Sequence, residues 1–307
     1  MRIFLTGATG VIGRRVVPIL AGTGHRVTAI GRSPEKRAAL ERQGASAIGV
    51  DLFDPEAVRR VLTGHDAVIN LATHIPPSSA RMLLPGAWRE NDRIRRVASG
   101  NLVAAALKAG AGQFIQESFA PMYEDGGEQW IDESWPIRPA RYNQSSVDAE
   151  RSAARFTDRG GIGVVLRFAL FYGPDAVHVI DLIKLVRKGW APVFGSNGFI
   201  SSIAHEDAAT AVVAALGVGA GIYNVADDAP VRRHEWVDAL AAALGIPSPK
   251  LPPRWISRLG GSITELLARS ERISNRKFRQ ASGWAPQYPS VHEGWPAVVK
   301  EVARAQL

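Results

Sequence analysis

The sequence predicts an α/β protein built on a doubly wound parallel sheet, with a smaller C-terminal portion interleaved with it. Three observations predict this class. Short β-branched runs alternate with amphipathic stretches through the first half of the chain. A glycine-rich turn joins the first such run directly to the first amphipathic stretch. After Tyr172-Gly173-Pro174 the regular spacing gives way to pieces punctuated by proline, such as PSPKLPP and GWAPQYP.

Taken in order, Arg2 to Thr6 (RIFLT) reads as a strand and Val11 to Ala21 as a helix stopped by Gly22 and Gly24. Arg26 to Ile30 is a second strand and Glu35 to Arg42 a second helix. Ala47 to Val50, Ala67 to Leu71 and Gln113 to Gln116 are further short strands, and Ala87 to Ala109 is helical by composition. Gln144 to Arg159 reads as another helix, followed by the strand Gly163 to Phe168. A late strand, Gly221 to Val225, returns to the main sheet. The division expected is therefore a first domain over residues 1–174 that 203–226 rejoin, with 175–202 and 227–307 capping it.

The chain has 307 residues, 46% of them hydrophobic and none of them cysteine. Disulfide scaffolds, thiol catalysis and thiolate metal sites are excluded, and the scattered histidines suggest no metal centre. No apolar run approaches the roughly 18 residues of a membrane span, and MRIFLTG reaches glycine too soon for a secretory h-region. A cytoplasmic location is expected. The net charge of +8 is concentrated after Pro230, where 12 Lys and Arg face 6 Asp and Glu. No basic-aromatic interleaving or helix-turn-helix pattern accompanies it, so a solvated basic face is expected before an anionic substrate, and nucleic acid last.

The turn is Gly7-Ala8-Thr9-Gly10-Val11-Ile12-Gly13, a GxxGxxG between strand and helix. Gly7 permits the tight turn, Gly10 lets backbone approach a pyrophosphate, and Gly13 lets helix and sheet pack closely. The helix N-terminus then offers unpaired N–H groups and partial positive charge to phosphates. Thr9, Val11 and Ile12 complete this dinucleotide-binding turn of the Rossmann type. At the end of the second strand, where an NAD enzyme would place a ribose-binding carboxylate, stand Gly31 and then Arg32. A guanidinium there grips a 2′-phosphate, and Arg14, Arg15, Lys36 and Arg37 are expected to add charge around the same corner. NADP(H) is expected as the preferred cofactor, with NAD(H) as the alternative.

With these motifs in place the chain resembles the short-chain dehydrogenase/reductase superfamily, in its extended or atypical epimerase/dehydratase group. The resemblance runs through TGATGVIG at Thr6 to Gly13, Asp51-Leu52, Asn70-Leu71-Ala72 and Ser118 to Tyr123. It continues through the helix start Tyr142 to Glu150, LRFALFYGP at Leu166 to Pro174 and HEDAATAV at His205 to Val212. It implies that Asp51 and Leu52 hold the adenine, that Leu71 and Ala72 line the cofactor groove, and that Phe168 and Phe171 lie near the nicotinamide. The irregular second portion would cover the substrate.

The departures from the family pattern concern the catalytic set. Phe119 stands where a Ser or Thr is usual, and Ser146 replaces the Lys four residues after Tyr142. Arg95 falls where the family carries a catalytic Asn, with Asn91 one turn earlier. The family Lys would hold the nicotinamide ribose and lower the phenol's pKa, and the hydroxyl would polarise a carbonyl. The proton donors that remain are Tyr142 first and Tyr123 second, followed by Ser118, Glu117 and His74. Without the Lys, the Tyr142 phenol is expected near its unperturbed pKa of ~10. Trp88, Trp130 and Trp135 bracket the substrate-side loops, and an aromatic-rich cap suits a flat substrate.

The expected function is NADP(H)-dependent reduction of a carbonyl or related group on a small molecule, aromatic ones among the candidates, with a non-standard proton donor. A nucleotide-sugar epimerase or dehydratase is the alternative, disfavoured by the missing Lys, and a non-enzymatic NADP(H)-binding sensor or scaffold is the third reading. The expected partner is a small-molecule substrate, without nucleic acid or membrane, and a homodimer is left open.

Overall fold

A computed structural model describes residues 1–76, 78–82, 84–193, 197–252 and 268–305. Seven parallel strands form the central sheet: β1 (Arg2–Thr6), β2 (Arg26–Ile30), β3 (Ser46–Ile48), β4 (Ala67–Asn70), β5 (Gln113–Phe119), β7 (Ile162–Phe168) and β11 (Gly221–Val225). A two-residue β6 (Trp130–Ile131) lies outside that sheet. The spatial order is β11-β7-β5-β4-β1-β2-β3. The direction of winding reverses between β1 and β4, which opens a crevice at the carboxyl ends of those strands.

Alternation along the strands divides the core into two layers. Ile3 and Leu5 of β1 face α1 (Gly13–Gly22) and α9 (His205–Ala214), together with Val16, Val17, Leu20, Ala208 and Val212. Phe4 points to the other side, among Val58, Leu62, Leu102, Phe114 and Phe156. These come from α3 (Pro55–Leu62), α6 (Ser99–Ala109), α7 (Gln144–Thr157) and β5. The second helix predicted, α2, spans Pro34–Arg42 and is capped by Ser33. Helix α3 was not among the predicted elements. Its start is set by Asp54, which accepts from the Glu56 and Ala57 amides ahead of Pro55.

The helical stretch expected over Ala87 to Ala109 is broken in three. After a 3₁₀ turn at Pro85–Trp88 it runs as α5 (Arg89–Arg93), a π-turn (Ile94–Ala98) and α6. Short helix α4 (Ser79–Met82) precedes it. Beyond β7 the chain forms β8 (Leu170–Tyr172), α8 (Val177–Arg187), β9 (Phe199–Ile200), β10 (Ser202–Ala204) and then α9. After β11 come β12 (Val231–Arg232), α10 (Arg233–Ala243), β13 (Arg272–Ile273), α11 (Arg276–Ser282) and α12 (Val291–Ala305). Tyr172, Val179, Ile183, Trp236, Leu240, Trp295 and Val298 form a second core among α8, α10 and α12. Among the described residues no helix is long and apolar enough to cross a membrane.

Candidate cofactor groove and active site

A groove of ≈ 650 Å³ lies in the crevice. Gly7, Thr9 and Gly10 of the turn line it, with Ile30, Arg32 and Lys36 after β2, Gly49 to Phe53 after β3, and Leu71 to Thr73 after β4. Glu90 and Ile94 close the far side.

The glycines are dictated by space. Gly7 sits at φ +69°, and a Cβ there would lie 2.2 Å from the Leu71 carbonyl oxygen. A Cβ on Gly13 would lie 2.2 Å from the Gly7 oxygen, so α1 can start this close to the sheet only with glycine. At Gly10 the one neighbour within 4 Å of such an atom is the Gly7 oxygen, at 3.2 Å. The turn thus presents bare backbone to the groove at the N-terminus of α1, a cradle suited to a pyrophosphate. Val11 and Ile12 lead into α1, which Gly13 opens, and none of the three lines the groove. A Cβ on Gly31 would meet the Arg37 amide nitrogen at 2.9 Å, which leaves no room for a ribose-binding carboxylate. These residues fit a dinucleotide cofactor, with Asp51, Leu52, Leu71 and Ala72 on the wall.

The adenosine corner is less basic than expected. Arg32 and Lys36 line it, and Arg37 is turned back to donate to the Gly31 carbonyl at 3.3 Å. Arg14 and Arg15 do not reach it. Both pair with Asp175, Arg15 at 2.7 Å, and Arg15 also donates to Glu206 at 2.7 Å. His205 joins this cluster through Nδ1, 2.7 Å from Asp175, and its burial holds the ring neutral with a pKa down at about 3. The two arginines therefore fasten the start of α1 to the segment after β8 and to α9.

The candidate donors are separated by the alternation of β5. Ser118 is fully buried and donates to Glu150 at 2.7 Å. Arg167 donates to both oxygens of Glu150 at 2.8 and 2.7 Å and to the Tyr123 hydroxyl at 2.9 Å. Tyr123 in turn donates to Asn224 at 2.7 Å, and burial pushes its phenol up to about 12. Neither Ser118 nor Tyr123 has exposed surface, and none of Ser118, Tyr123 and Tyr142 lines the groove. Phe168 is likewise fully buried, 5.2 Å from the partly buried Phe171, so it is core and offers no face to a nicotinamide. Phe171 rests edge-on against His205 and does not line the groove.

Tyr142 is the half-buried one of the three hydroxyl candidates, its ring 5.1 Å from that of Trp88. Burial first, then the charge of Glu271, raises its phenol above the ordinary value, with Arg269 opposing. The expectation of an unperturbed phenol is thus corrected upward. Glu271 is itself buried and its carboxyl is lifted to about 8. Trp135 is packed against the main core, whereas Trp130 is 47% exposed beneath Arg272. His74 is held through its amide, which donates to Asn91 at 3.0 Å.

Ser146, at the family's Lys position, accepts from Arg95 Nη1 at 2.7 Å. Arg95 Nη2 donates to the two Glu117 oxygens at 2.9 and 3.0 Å. Glu117, a candidate donor in the sequence, is thus the ion-pair partner of Arg95. The residues that sequence reasoning did not place in the groove, Ile30, Gly49, Val50, Phe53, Thr73, Glu90 and Ile94, belong to no motif read from the sequence. Thr73 follows the Asn70-Leu71-Ala72 landmark directly, which is the one signal that could have found it. No group of three or more His, Asp or Glu able to hold a metal occurs among the described residues.

Residues 7–158 match an NAD(P)H-binding family. The chain is 30% identical to the 3-diazoavenalumate denitrifying reductase of a Streptomyces species, over 96% of this chain and 99% of that one. It is 27% identical to the 4-hydroxy-2-methyl-3-oxo-4-farnesyl-3,4-dihydroquinoline-1-oxide ketoreductase of Stigmatella aurantiaca, over 89% of this chain and 83% of the relative. In fold it is similar to a human epimerase family protein solved with NADPH, with a TM-score of 0.80, 20% identity and coverage of 98% of this chain and 99% of that one.

Proposed function

From a chain that belongs to an NAD(P)H-binding family and is an NAD(P)-dependent oxidoreductase, we infer an NADP(H)-dependent reductase of a small electrophilic molecule. The observation that carries the inference is the corner at the end of β2. Arg32 and Lys36 line it, and Gly31 has no space for a carboxylate. A 2′-phosphate would find cations there and a 2′-hydroxyl would find no acceptor from position 31. Arg32, Lys36 and the Gly7–Gly10 turn would hold the adenosine phosphates, and Leu71 to Thr73, Glu90 and Ile94 would flank the other half. When bound, the nicotinamide supplies a hydride.

Direction follows from the chain's own groups. A phenol raised by burial keeps its proton at neutral pH, so Tyr142 can donate but is a poor base. Reduction needs the donor, whereas the oxidation that opens an epimerase or dehydratase cycle needs the base. We therefore favour reduction of a carbonyl, with the proton for the alkoxide from Tyr142, in a cytoplasmic setting.

A second class of acceptor is favoured by the Ser118 geometry. Its hydroxyl is spent on Glu150, so the site polarises a carbonyl weakly. An aryl diazonium ion needs no such help. It gains a hydride, the C–N bond breaks, N2 leaves and a neutral C–H bond remains, with no proton required from the protein. The denitrifying relative, named for a diazo compound, belongs with this reading. The test is NADPH consumption against aryl ketones, 3-oxo acids and aryl diazonium carboxylic acids, with N2 release measured. Turnover of the ketones alone selects the first acceptor and N2 release selects the second. No NADPH consumption with any of them would refute the reductase reading.

A further inference from the structure

One aromatic residue on the groove is unexplained by the core. Phe53 is half-buried after β3 and packs into neither layer of the core around the central sheet. It is the only aromatic residue among the described residues that line the groove. Its backbone is fixed from two sides. The Phe53 amide donates to Asp51 Oδ1 at 2.9 Å, and the carbonyl of Leu52 accepts from Asn101 Nδ2 at 2.9 Å. The exposed Arg93 lies against the ring, its Cζ 3.6 Å from the ring centroid, the closest cation–aromatic contact among the described residues.

This contact joins the two sides of the groove. Phe53 stands on the wall that follows β3, whereas Arg93 ends α5, which with Glu90 and the following Ile94 forms the far side. In the sheet β3 is the edge strand beside β2. Phe53 therefore lies beyond the corner of Arg32 and Lys36, on the side where the base of an adenosine phosphate would fall. A guanidinium this close is attracted to the ring face, and it leaves the opposite face and the edge for another flat group. A purine stacks on such a ring without needing a hydrogen-bond partner. Because the ring is held before the ligand arrives, less ordering is left to be done on binding.

We propose that Phe53 is the surface on which the adenine of the cofactor stacks, and that Arg93 is a positioning residue, a strap from α5 that holds the ring in place. The proposal rests on the cofactor reading above and deepens it. It assigns the base end of the groove to a pair of side chains delivered from its two opposite sides.

The test is equilibrium binding by calorimetry. Two ligands are titrated: whichever of NADPH and NADH binds wild type more tightly, and its adenosine fragment, 2′,5′-ADP or ADP. Phe53→Leu should weaken both ligands about tenfold, as expected for one lost base–aromatic stack. Arg93→Met should weaken both about fivefold, and Arg93→Lys, which restores the cation, should stay within about twofold of wild type. Because Arg93 acts through the ring, adding Arg93→Met to Phe53→Leu should change affinity by less than about twofold. If Phe53→Leu does not fold, salt dependence decides. A strap leaves the salt dependence of cofactor binding the same in Arg93→Met as in wild type, whereas a cation drawn directly to phosphate makes it shallower when removed. Wild-type affinity in Phe53→Leu overturns the stacking surface. No loss in Arg93→Met, a full loss that persists without the ring, or a shallower salt dependence overturns the strap. Wild type that binds neither ligand would instead overturn the cofactor reading, and this proposal with it.

Discussion

Gly10→Ala separates the binding role of the glycine turn from its structural role. Gly10 is not among the glycines with positive φ, so alanine can adopt its backbone without strain. The added methyl would meet only the Gly7 oxygen, at 3.2 Å, a contact relieved by a shift of a few tenths of an ångström. Replacing Gly by Ala at a compatible position gains about 0.4–1 kcal/mol from the unfolded state, which offsets that contact and leaves folding stability within ~1 kcal/mol of wild type. The methyl does stand on the groove, where a pyrophosphate would touch bare backbone. Pushed outward, the phosphates lose charge-assisted bonds to turn amides worth about 1.5–3 kcal/mol each, so NADPH affinity should fall at least tenfold. Thermal unfolding and NADPH titration on the same variant read the two effects. Gly13→Ala is the contrast, since its methyl would collide with backbone at 2.2 Å and should lower the melting temperature itself. A Gly10→Ala protein that binds NADPH as tightly as wild type would refute the placement of the phosphates over this turn.

Arg32→Ala should raise the Kd for NADPH about tenfold, ~1.4 kcal/mol, and leave NADH unchanged; wild-type affinities that are equal for the two nucleotides would sink the assignment. Tyr142→Phe should slow ketone reduction by ~10²-fold while sparing a diazonium acceptor, and wild-type ketone reduction should persist to a pH of at least ~10 because the phenol lies above its ordinary range, as a pH–rate profile will show. Glu271→Gln should flatten the pH dependence of stability. The folded carboxyl titrates at about 8 against 4.5 for the ordinary group, so the folded state holds more protons between those values and wild-type stability falls as pH rises through that window. Melting temperatures of the two proteins that run parallel from about pH 5 to 8 would count against Glu271 as the cause.

The sheet and its glycine turn were legible because both rest on local patterns: a short apolar run, three glycines at fixed offsets and an amphipathic stretch. The site was only partly so. Arg14 and Arg15 lie beside the turn in sequence, but the first turn of α1 aims them at Asp175 and Glu206, which are 160 and 191 residues away from Arg15. Charge can be counted along a sequence, whereas the partner that claims it cannot. Adjacent residues Glu117 and Ser118 are sent to opposite sides of β5, one toward Arg95 and the other toward Glu150. Composition made residues 87–109 helical, but no pattern announces the π-turn that swings Arg95 inward.

The second core also has a history in time. A chain emerging from the ribosome has all seven strands of the sheet once residue 225 is out, and N-terminal parts fold first during synthesis. Yet α9 is fastened by what comes later: Trp284 donates to Thr210 at 3.0 Å, and Asp207 accepts the amides of Gln287 and Tyr288 at 2.6 and 3.0 Å. Trp295 must then slide between Tyr172 and Trp236, beside a glycine whose absent Cβ would lie 1.9 Å from the Tyr172 hydroxyl oxygen. Until α12 arrives, those aromatic faces lack the cover that Trp295 gives them. Exposed apolar faces of this kind favour self-association, so docking of α12 is the step that protects them. Substitutions at Gly294 or Trp295 should show first as lost yield of soluble protein, before any defect in the cofactor groove is felt.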